Sequence, residues 1–403
     1  MTVRVNKSSF NIREKLSELG RKFGLKGSEL VAAETVQEAR EIVSAGRKNL
    51  IINGDFRISQ RVGTTSTNIS NGGYILDRYR WDTGTSGQMT AQQVTDAPPG
   101  FNNSMKLTVS TTDTSIASGD YHYFRHIIEG NNINHLNWGS SNAKTVTLSF
   151  WVKSSVTGDH GGSLWNDGFN RSFPFNYAIN VANTWEHKSI TVPGCPDGTW
   201  ETGTSRGINI GFVQLSGSTY TGAPNQWNST GDIAPTTHVN LLATSGATWY
   251  ITGIQLEVGR NATEFEHRSY GEELALCQRY FQGWNATSST LRAETGIKVY
   301  DFEGNSSVNQ TTTIGTGSVV DADDARIEFS FPVTMRTKPT ATAGDLRLAV
   351  GSTLYNTATT IQYNNSTIHH FSALIDNGGN MTAGQAALLI IKGNGYFYLD
   401  AEY

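Results

Sequence analysis

From Lys48 onward the sequence is divided into short segments of alternating apolar and polar residues, which are separated by Gly, Asn, Asp and Pro. A period of two places alternate side chains on opposite faces of a strand, so this pattern predicts many short strands. The composition agrees, because charged residues make up 16% of the chain where an average domain has roughly 25%. The predicted fold class is therefore mainly β.

Seven segments between residues 48 and 268 have the clearest strand pattern. They are Asn49–Phe56, Ser104–Val109, Tyr121–Ile128, Thr145–Lys153, Trp185–Val192, Gly207–Leu215 and Thr248–Val258. Such a series of short strands with polar connections predicts a jelly-roll β-sandwich over residues 48–268. The polar stretches 159–170 and 216–235 exceed ordinary hairpin loops in length, and long loops often carry recognition residues.

The chain has 403 residues, which is too long for one hydrophobic core. Residues 269–283 include YGEELALCQRYFQ, whose apolar spacing predicts a short helical connector. Strand patterns resume after it, at 297–302, 326–332, 346–350, 368–375, 387–391 and 396–401. We therefore expect a second, smaller β-sandwich over residues 284–403.

Residues 1–47 form the one extended region with helical periodicity. Two narrow apolar stripes run along the predicted helices, and the second helix begins at a capping box of Thr35 and Glu38. The stripes consist of Ile12, Leu16 and Leu19 in the first helix and Val36, Ile42 and Val43 in the second. Because such thin stripes cannot bury themselves, we expect this segment to dock on symmetry mates or other proteins. The alternative is that it folds back on the sandwich.

The charge pattern bears on partners and location. The net charge of −4 and pI near 6.1 provide no basic field for nucleic acid. No segment approaches the roughly 18 apolar residues of a membrane span, which predicts no membrane insertion. Cys195 and Cys277 are too few and too far apart for a disulfide framework. The chain is expected to be made in a cytoplasm.

The motifs that suggest catalysis lack their structural context. Gly203–Gly207 reads GTSRG, but a strand follows Ser205 where a nucleophile elbow requires a helix. His122 and His126 share one face of a predicted strand, without the spacing of a metal site. We expect a non-enzyme in which these residues are structural.

Two acidic clusters have the residue types of a cation site or a glycosidase pair. They are Asp301 with Glu303, and Asp321 with Asp323 and Asp324. The second cluster lies between two predicted strands, where Asp is common in turns. We therefore interpret it as a charged turn.

Aromatic residues are the remaining candidates for a binding site. Trp138, Trp165 and Trp227 lie in stretches rich in Gly, Asn and Ser, which predicts exposed rings on which sugars can stack. In TLSFWVK, Trp151 alternates with apolar residues, so it faces away from the core on a sheet that is expected to be open and concave. For each of these rings, burial in the core is the alternative.

Four segments resemble jelly-roll carbohydrate-binding modules: NLIINGDF (49–56), TLSFWVKS (147–154), TWEHKSITVPG (184–194) and WYITGIQLEVG (249–259). The first has the N-x-x-x-N-G-x-F pattern of such modules. The resemblance implies a structural calcium ion between the first and last strands, held here by Asp55 and Glu257. Arg57 stands where an acidic residue often follows the Phe. No other cofactor is expected.

The arrangement as a whole resembles tail-fibre or capsid-fibre proteins of tailed bacteriophages, particularly those of marine bacteria. The similar segments are SSFNIREKLSEL with AETVQEAREIVSAGRKNLIINGDFRISQR, FEHRSYGEELALCQRYFQ, and SFPVTMRTKPTAT at 330–342. This resemblance implies a non-catalytic fibre or spike subunit of a virion, made in the host cytoplasm. The subunit would be a homotrimer, attached to other virion proteins through residues 1–47 and contacting host polysaccharide. The alternatives are a capsid decoration or tail scaffold protein without glycan binding, and a glycan depolymerase.

Overall fold

A computed structural model describes residues 48–285 and 312–403, the latter with gaps at 352, 357–359, 363–364 and 377–378. The predicted N-terminal helices with their apolar stripes, the predicted strand 297–302 and the pair Asp301 and Glu303 lie outside the described residues. The described residues from Asn49 onward belong to one compact unit. The predicted fold class is confirmed, because the described chain is mainly β.

Between residue 48 and the connector helix, thirteen strands are described. They are β1 (Thr67–Asn68), β2 (Tyr79–Gly84), β3 (Gln88–Val94), β4 (Ser104–Thr111), β5 (Tyr121–Glu129), β6 (Val146–Ser154), β7 (Gly158–Trp165), β8 (Ser172–Ile179), β9 (Glu186–Val192), β10 (Arg206–Ser216), β11 (Thr221–Gly222), β12 (Ala234–Pro235) and β13 (Thr248–Val258). Four 3-10 turns lie between them, at Gly130–Asn132, Asn134–Leu136, Ser218–Tyr220 and Leu241–Ala243.

Most of these strands form two antiparallel sheets. The six-stranded sheet has the order β1-β3-β4-β13-β6-β9, and the five-stranded sheet has the order β2-β5-β10-β7-β8. Alternate residues of both sheets meet in one buried core, for example Phe150 of β6 with Phe212 of β10 at 5.1 Å between ring centroids. The two inner faces thus share one core, as in a β-sandwich.

The predicted strand Asn49–Phe56 is wrong, because this segment is irregular. Asn53 and Phe56 have left-handed φ angles of 60° and 54°, which a strand does not accommodate. The carbonyl of Gly54 still accepts from the Ile254 amide, at 2.9 Å. Gly54 permits this approach, since a Cβ there would lie 2.2 Å from the Ile254 carbonyl oxygen.

The predicted loop over residues 159–170 is also wrong in its first half, since Gly158–Trp165 is strand β7. Its glycines are suited to close packing: a Cβ on Gly162 would lie 2.1 Å from the Gly211 carbonyl oxygen of β10. Glycine within a strand often marks such an approach, although it also resembles a loop signal. Trp165 is therefore a strand residue.

The connector is helical as predicted. Helix α1 (Tyr270–Gln278) begins at Ser269, which forms a capping box with Glu272. Strands β14 (Phe281–Asn285), β15 (Thr312–Val319), β16 (Asp324–Ser330), β17 (Thr340–Val350), β18 (Thr353–Asn356), β19 (Thr360–Gln362), β20 (His370–Asp376) and β21 (Ala386–Asp400) follow. No helix within the described ranges is long and apolar enough to cross a bilayer.

These eight strands form one sheet around a second hydrophobic core. The long strand β21 pairs with β17 along one edge, and with β14 and β15 along the other. A buried ion pair of Arg78 with Glu402 joins the two β regions. The buried Glu129 carboxylate also pairs at 2.6 Å with Arg279 of the connector, which is part-exposed. Their charges are paired, as burial requires.

Candidate functional site: an aromatic cleft

A cleft of about 180 Å³ lies on the outer face of the five-stranded sheet. Five residues line it: Tyr121, Tyr123, Phe169, Tyr220 and Ile233. Tyr121 and Tyr123 project outward from β5 because they alternate with inward residues such as Phe124, which is fully buried in the sandwich core. The strand thus carries large side chains on both faces.

Trp165 lies behind this lining and is 2% exposed. Its ring centroid is 5.8 Å from that of Tyr123 and 5.9 Å from that of Phe169, with near-perpendicular ring planes in both pairs. Gly211 of β10 makes room for it, since a Cβ there would lie 2.6 Å from the indole ring. Such edge-to-face contacts fix the orientation of aromatic rings.

The opposite wall comes from two loops. Tyr220 meets Tyr121 edge-to-face at 5.6 Å, and the Ile233 amide donates to the Tyr220 carbonyl at 2.9 Å. Phe169 lies at the rim, 37% exposed. Gly231 leaves the space for its ring, because a Cβ there would lie 2.3 Å from Phe169.

A strip of ion-paired residues on the same sheet face borders the aromatic residues. Arg125 Nε lies 2.9 Å from Asp82 Oδ2, and Arg125 Nη1 donates to Asn209 Oδ1 at 3.1 Å. The Arg125 guanidinium lies 5.9 Å from the Trp165 ring centroid. Burial, with a smaller effect of Asp82, raises the pKa of Tyr123, so its phenol stays protonated and can donate a hydrogen bond.

Three of the four tryptophans predicted from the sequence lie elsewhere. Trp138 and Trp227 form a cluster with Trp200, with ring centroids 4.7–5.6 Å apart. Each indole N–H donates to a backbone carbonyl, such as that of Lys144 for Trp138. The expected exposure of Trp138 is wrong, since it is 8% exposed. Apolar loop residues gain more by packing together at the end of the core.

Trp227 is half-buried and borders a second, open cavity of about 660 Å³. The remaining lining comes from the loop 219–232 and is largely polar. Asp232 in this lining is 4% exposed and accepts hydrogen bonds from Thr230 and Asn228. The Ser172 hydroxyl of β8 donates to the same carboxylate at 3.2 Å. Protein donors therefore occupy Asp232, and Trp227 is the one aromatic residue in the cavity lining.

Trp165 and Trp151 lie on different sheets. The expected exposure of Trp165 is wrong, but it does support the cleft from behind. Trp151 faces outward from β6 as predicted, on the six-stranded sheet, where it is half-buried and lies 5.2 Å from the His187 ring.

The sequence predictions do not include the cleft residues, although the sequence YHYFRHII contains a signal for those of β5. Large residues at both alternating sets of positions predict two packed faces.

Asp55 and Glu257 do not fit the calcium site that the family resemblance implied. Asp55 accepts from the Arg57 guanidinium. Glu257 accepts from Gln255 Nε2 at 2.8 Å and from the amide and hydroxyl of Thr263 at 2.8 and 2.6 Å. Protein donors thus occupy both carboxylates, and no group of three metal-ligating side chains occurs within the described ranges. Calcium prefers several free oxygen ligands.

The other candidate motifs have structural contacts. Ser205 precedes strand β10, as the loop interpretation predicted. His122 and His126 are buried, and His126 Nε2 accepts from the Ile52 amide at 3.1 Å. Asp321 Oδ1 accepts from the amides of residues 323 and 324, at 2.9 Å each, in the predicted turn between β15 and β16.

Several solved structures resemble part of this fold. No family model and no curated protein matches the chain. The enzymatically active domain of tailspike protein 4 from bacteriophage CBA120 matches with a TM-score of 0.28 and 13% identity over 50% of this chain. The match spans only 22% of that tailspike domain.

Two other neighbours are matched over their whole length. A putative sugar-binding protein from Bacteroides thetaiotaomicron has a TM-score of 0.30 and 13% identity, covering 53% of this chain and 100% of its own. The xylan-binding domain CBM22-1 from Paenibacillus barcinonensis has a TM-score of 0.27 and 10% identity, covering 54% and 100%. These likenesses are too distant to support a functional argument, which depends on the cleft itself.

Proposed function

We propose that this protein is a non-catalytic, carbohydrate-binding subunit of a bacteriophage virion, which binds host surface glycans through the aromatic cleft. The observation that carries the proposal is the cleft's lining: four aromatic residues and Ile233 around an open space. Exposed aromatic rings offer flat apolar surfaces with little entropy to lose on binding.

The size and chemistry of the cleft suit one sugar ring. Its volume of about 180 Å³ equals about six water molecules at roughly 30 Å³ each. The C–H faces of a pyranose can stack against Phe169 and the tyrosine rings. The phenols of Tyr121, Tyr123 and Tyr220 can donate to and accept from its hydroxyls.

The lining also supports a non-catalytic role. Glycoside hydrolysis ordinarily requires two carboxyl groups that flank the scissile bond. None of the five lining residues has a carboxyl group. Asp82, on the same sheet face, is ion-paired with Arg125. Binding without cleavage is the function that these side chains favour.

The placement on a virion rests on the sequence resemblance to phage fibre proteins. In this proposal, residues 1–47 attach the subunit to other virion proteins, and the subunit forms a homotrimer. A cleft for one sugar ring binds weakly, but linked copies raise the overall avidity because rebinding occurs at high effective concentration. A trimer on a multivalent particle supplies those copies.

The experiment compares Phe169→Ala and Tyr220→Ala with the wild type on arrays of bacterial surface glycans, followed by calorimetry on the best ligand. Each substitution should weaken binding roughly tenfold, as expected for the loss of one stacking contact. Tyr270→Ala is the matched control, because Tyr270 is an exposed aromatic residue on helix α1, outside the cleft lining.

Two outcomes contradict the proposal. If the wild type binds no bacterial glycan, a capsid decoration or tail scaffold role replaces it. If Phe169→Ala and Tyr220→Ala bind as well as Tyr270→Ala, glycan binding occurs at another surface. Release of reducing ends from a bound polysaccharide would contradict the non-catalytic part.

A further inference from the structure

The irregular segment 49–53 is held on the sandwich mainly by side chains. The Asn49 amide donates to Glu266 Oε2 at 2.6 Å, and the Asn53 amide donates to the Glu273 carboxylate. The Ile52 amide donates to His126. Buried backbone groups require partners, and here acidic and imidazole side chains replace the hydrogen bonds of a strand ladder.

Arg268 is at the centre of this arrangement and its side chain is 7% exposed. Its Nη1 donates to the Ile51 carbonyl at 3.0 Å, and its Nη2 donates to the Asn49 carbonyl. The same two nitrogens lie 3.2 Å from Glu273 Oε2 and 3.4 Å from Glu266 Oε2. One buried cation thus contacts two backbone carbonyls and two carboxylates.

Carbonyl and carboxylate oxygens are also the ligands that calcium prefers in proteins. The four acceptors around Arg268 come from the first segment of the sandwich and from the chain that leaves its last strand. Neither Asp55 nor Glu257 is among them. The oxygen-rich position that links the beginning and end of this sandwich therefore holds a guanidinium.

We propose that Arg268 is the resident cation of this position, so that the protein folds without calcium, and that removing its side chain leaves a latent calcium site. The ligands of that site are the carbonyls of Asn49 and Ile51 and the carboxylates of Glu266 and Glu273. Arginine suits the position because its planar fork reaches several acceptors at once, which a lysine ammonium cannot reproduce.

Thermal unfolding with EDTA and with millimolar calcium tests the proposal. The wild type should have the same Tm in both. Arg268→Ala should lower the Tm in EDTA by roughly 5 to 10 °C, because the buried Glu273 and half-buried Glu266 carboxylates lose their counter-charge. Calcium should restore part of this loss with a saturable dose dependence, and magnesium should restore less, because it requires stricter geometry.

Matched variants separate this site from general charge effects. Arg260→Ala removes an exposed arginine just beyond strand β13, so its Tm should equal that of the wild type with and without calcium. The double variant Arg268→Ala with Glu266→Gln should lose the calcium response. If Arg268→Ala does not fold, Arg268→Lys takes its place. It should fold, because it keeps the positive charge, but with a Tm below that of the wild type, because an ammonium cannot reach all four acceptors.

A wild-type Tm that falls in EDTA and recovers with calcium would overturn the role of Arg268 as resident cation. If calcium does not raise the Tm of Arg268→Ala, the proposal of a latent calcium site is wrong. Both readouts are thermal, so they are independent of whether the cleft binds glycans.

Discussion

The two outer faces of the sandwich both carry aromatic residues, but they use them differently. On the five-stranded sheet, Tyr121 and Tyr123 border an open cleft. On the six-stranded sheet, Lys153 lies 4.2 Å from the Tyr250 ring and 5.2 Å from the Trp185 ring, and it pairs with Asp96. An aromatic ring is available for a ligand only where the protein leaves one side of it uncovered.

Replacing the tryptophan on each of the two sheets should produce the largest difference between them in unfolding free energy and in glycan binding. Trp165→Ala should cost about 3–5 kcal/mol of unfolding free energy, because it empties a fully packed position behind the cleft. It should also abolish glycan binding, since Tyr123 and Phe169 both pack on Trp165. Trp151→Ala removes a half-buried ring and should cost about 1–2 kcal/mol, with binding unchanged. Urea unfolding and calorimetry measure the two quantities.

The reverse result would break the comparison. If Trp151→Ala weakens glycan binding while Trp165→Ala leaves it intact, the binding face is the six-stranded sheet.

The five-stranded sheet should also respond to mild acid. Burial lowers the pKa of His122 to about 4 from 6.5, so the folded state resists protonation while the unfolded state accepts it. Stability should therefore fall as the pH drops from 6.5 towards 4, and His122 alone contributes up to about 3 kcal/mol. His122→Gln should flatten this dependence in urea unfolding. An unchanged slope in the variant would assign the acid sensitivity to other groups.

Gly211 on the five-stranded sheet provides a smaller perturbation of the cleft. A Cβ at Gly211 would lie 2.6 Å from the Trp165 ring, so Gly211→Ala should displace the indole. The expected cost is about 2 kcal/mol, as for overpacked cores, with weaker glycan binding. Gly203→Ala is the control, because nothing lies within 4 Å of its Cβ position. Equal stability of the two variants would mean that the Trp165 ring can move without cost.

Sequence reasoning identified the β class, the connector helix and strands such as β13, because period-two alternation reports directly on a half-buried sheet. The strand predictions were wrong where glycines allow two strands to pack closely. Gly161 and Gly162 give strand β7 the sequence pattern of a loop, so the sequence predicts an exposed ring at Trp165 where the fold buries it. The pattern of β5 indicates two packed faces, but the cleft itself could not be predicted, because its other walls come from loops near Phe169 and Tyr220, which only the tertiary fold brings together.

The smallest expected effect concerns Lys153 on the six-stranded sheet. Burial alone would raise the pKa of Asp96, but hydrogen bonds from Lys153 and Trp185 lower it below 3.8. The stabilisation is therefore present above pH 3.8 and is lost as the pH falls through the lowered pKa. Lys153→Met keeps the apolar stem, and at neutral pH it should cost about 0.5–1 kcal/mol, because the Asp96 carboxylate is half exposed.

The acid windows of the two sheets should then differ: His122→Gln changes stability between pH 6.5 and about 4, whereas the effect of Lys153→Met disappears only below 3.8. High salt should shrink the Lys153→Met effect further, since exposed ion pairs are screened. The glycan affinity of Lys153→Met should equal that of the wild type. A loss of binding in Lys153→Met would mean that the charged aromatic face contributes to recognition, and that the two faces act together.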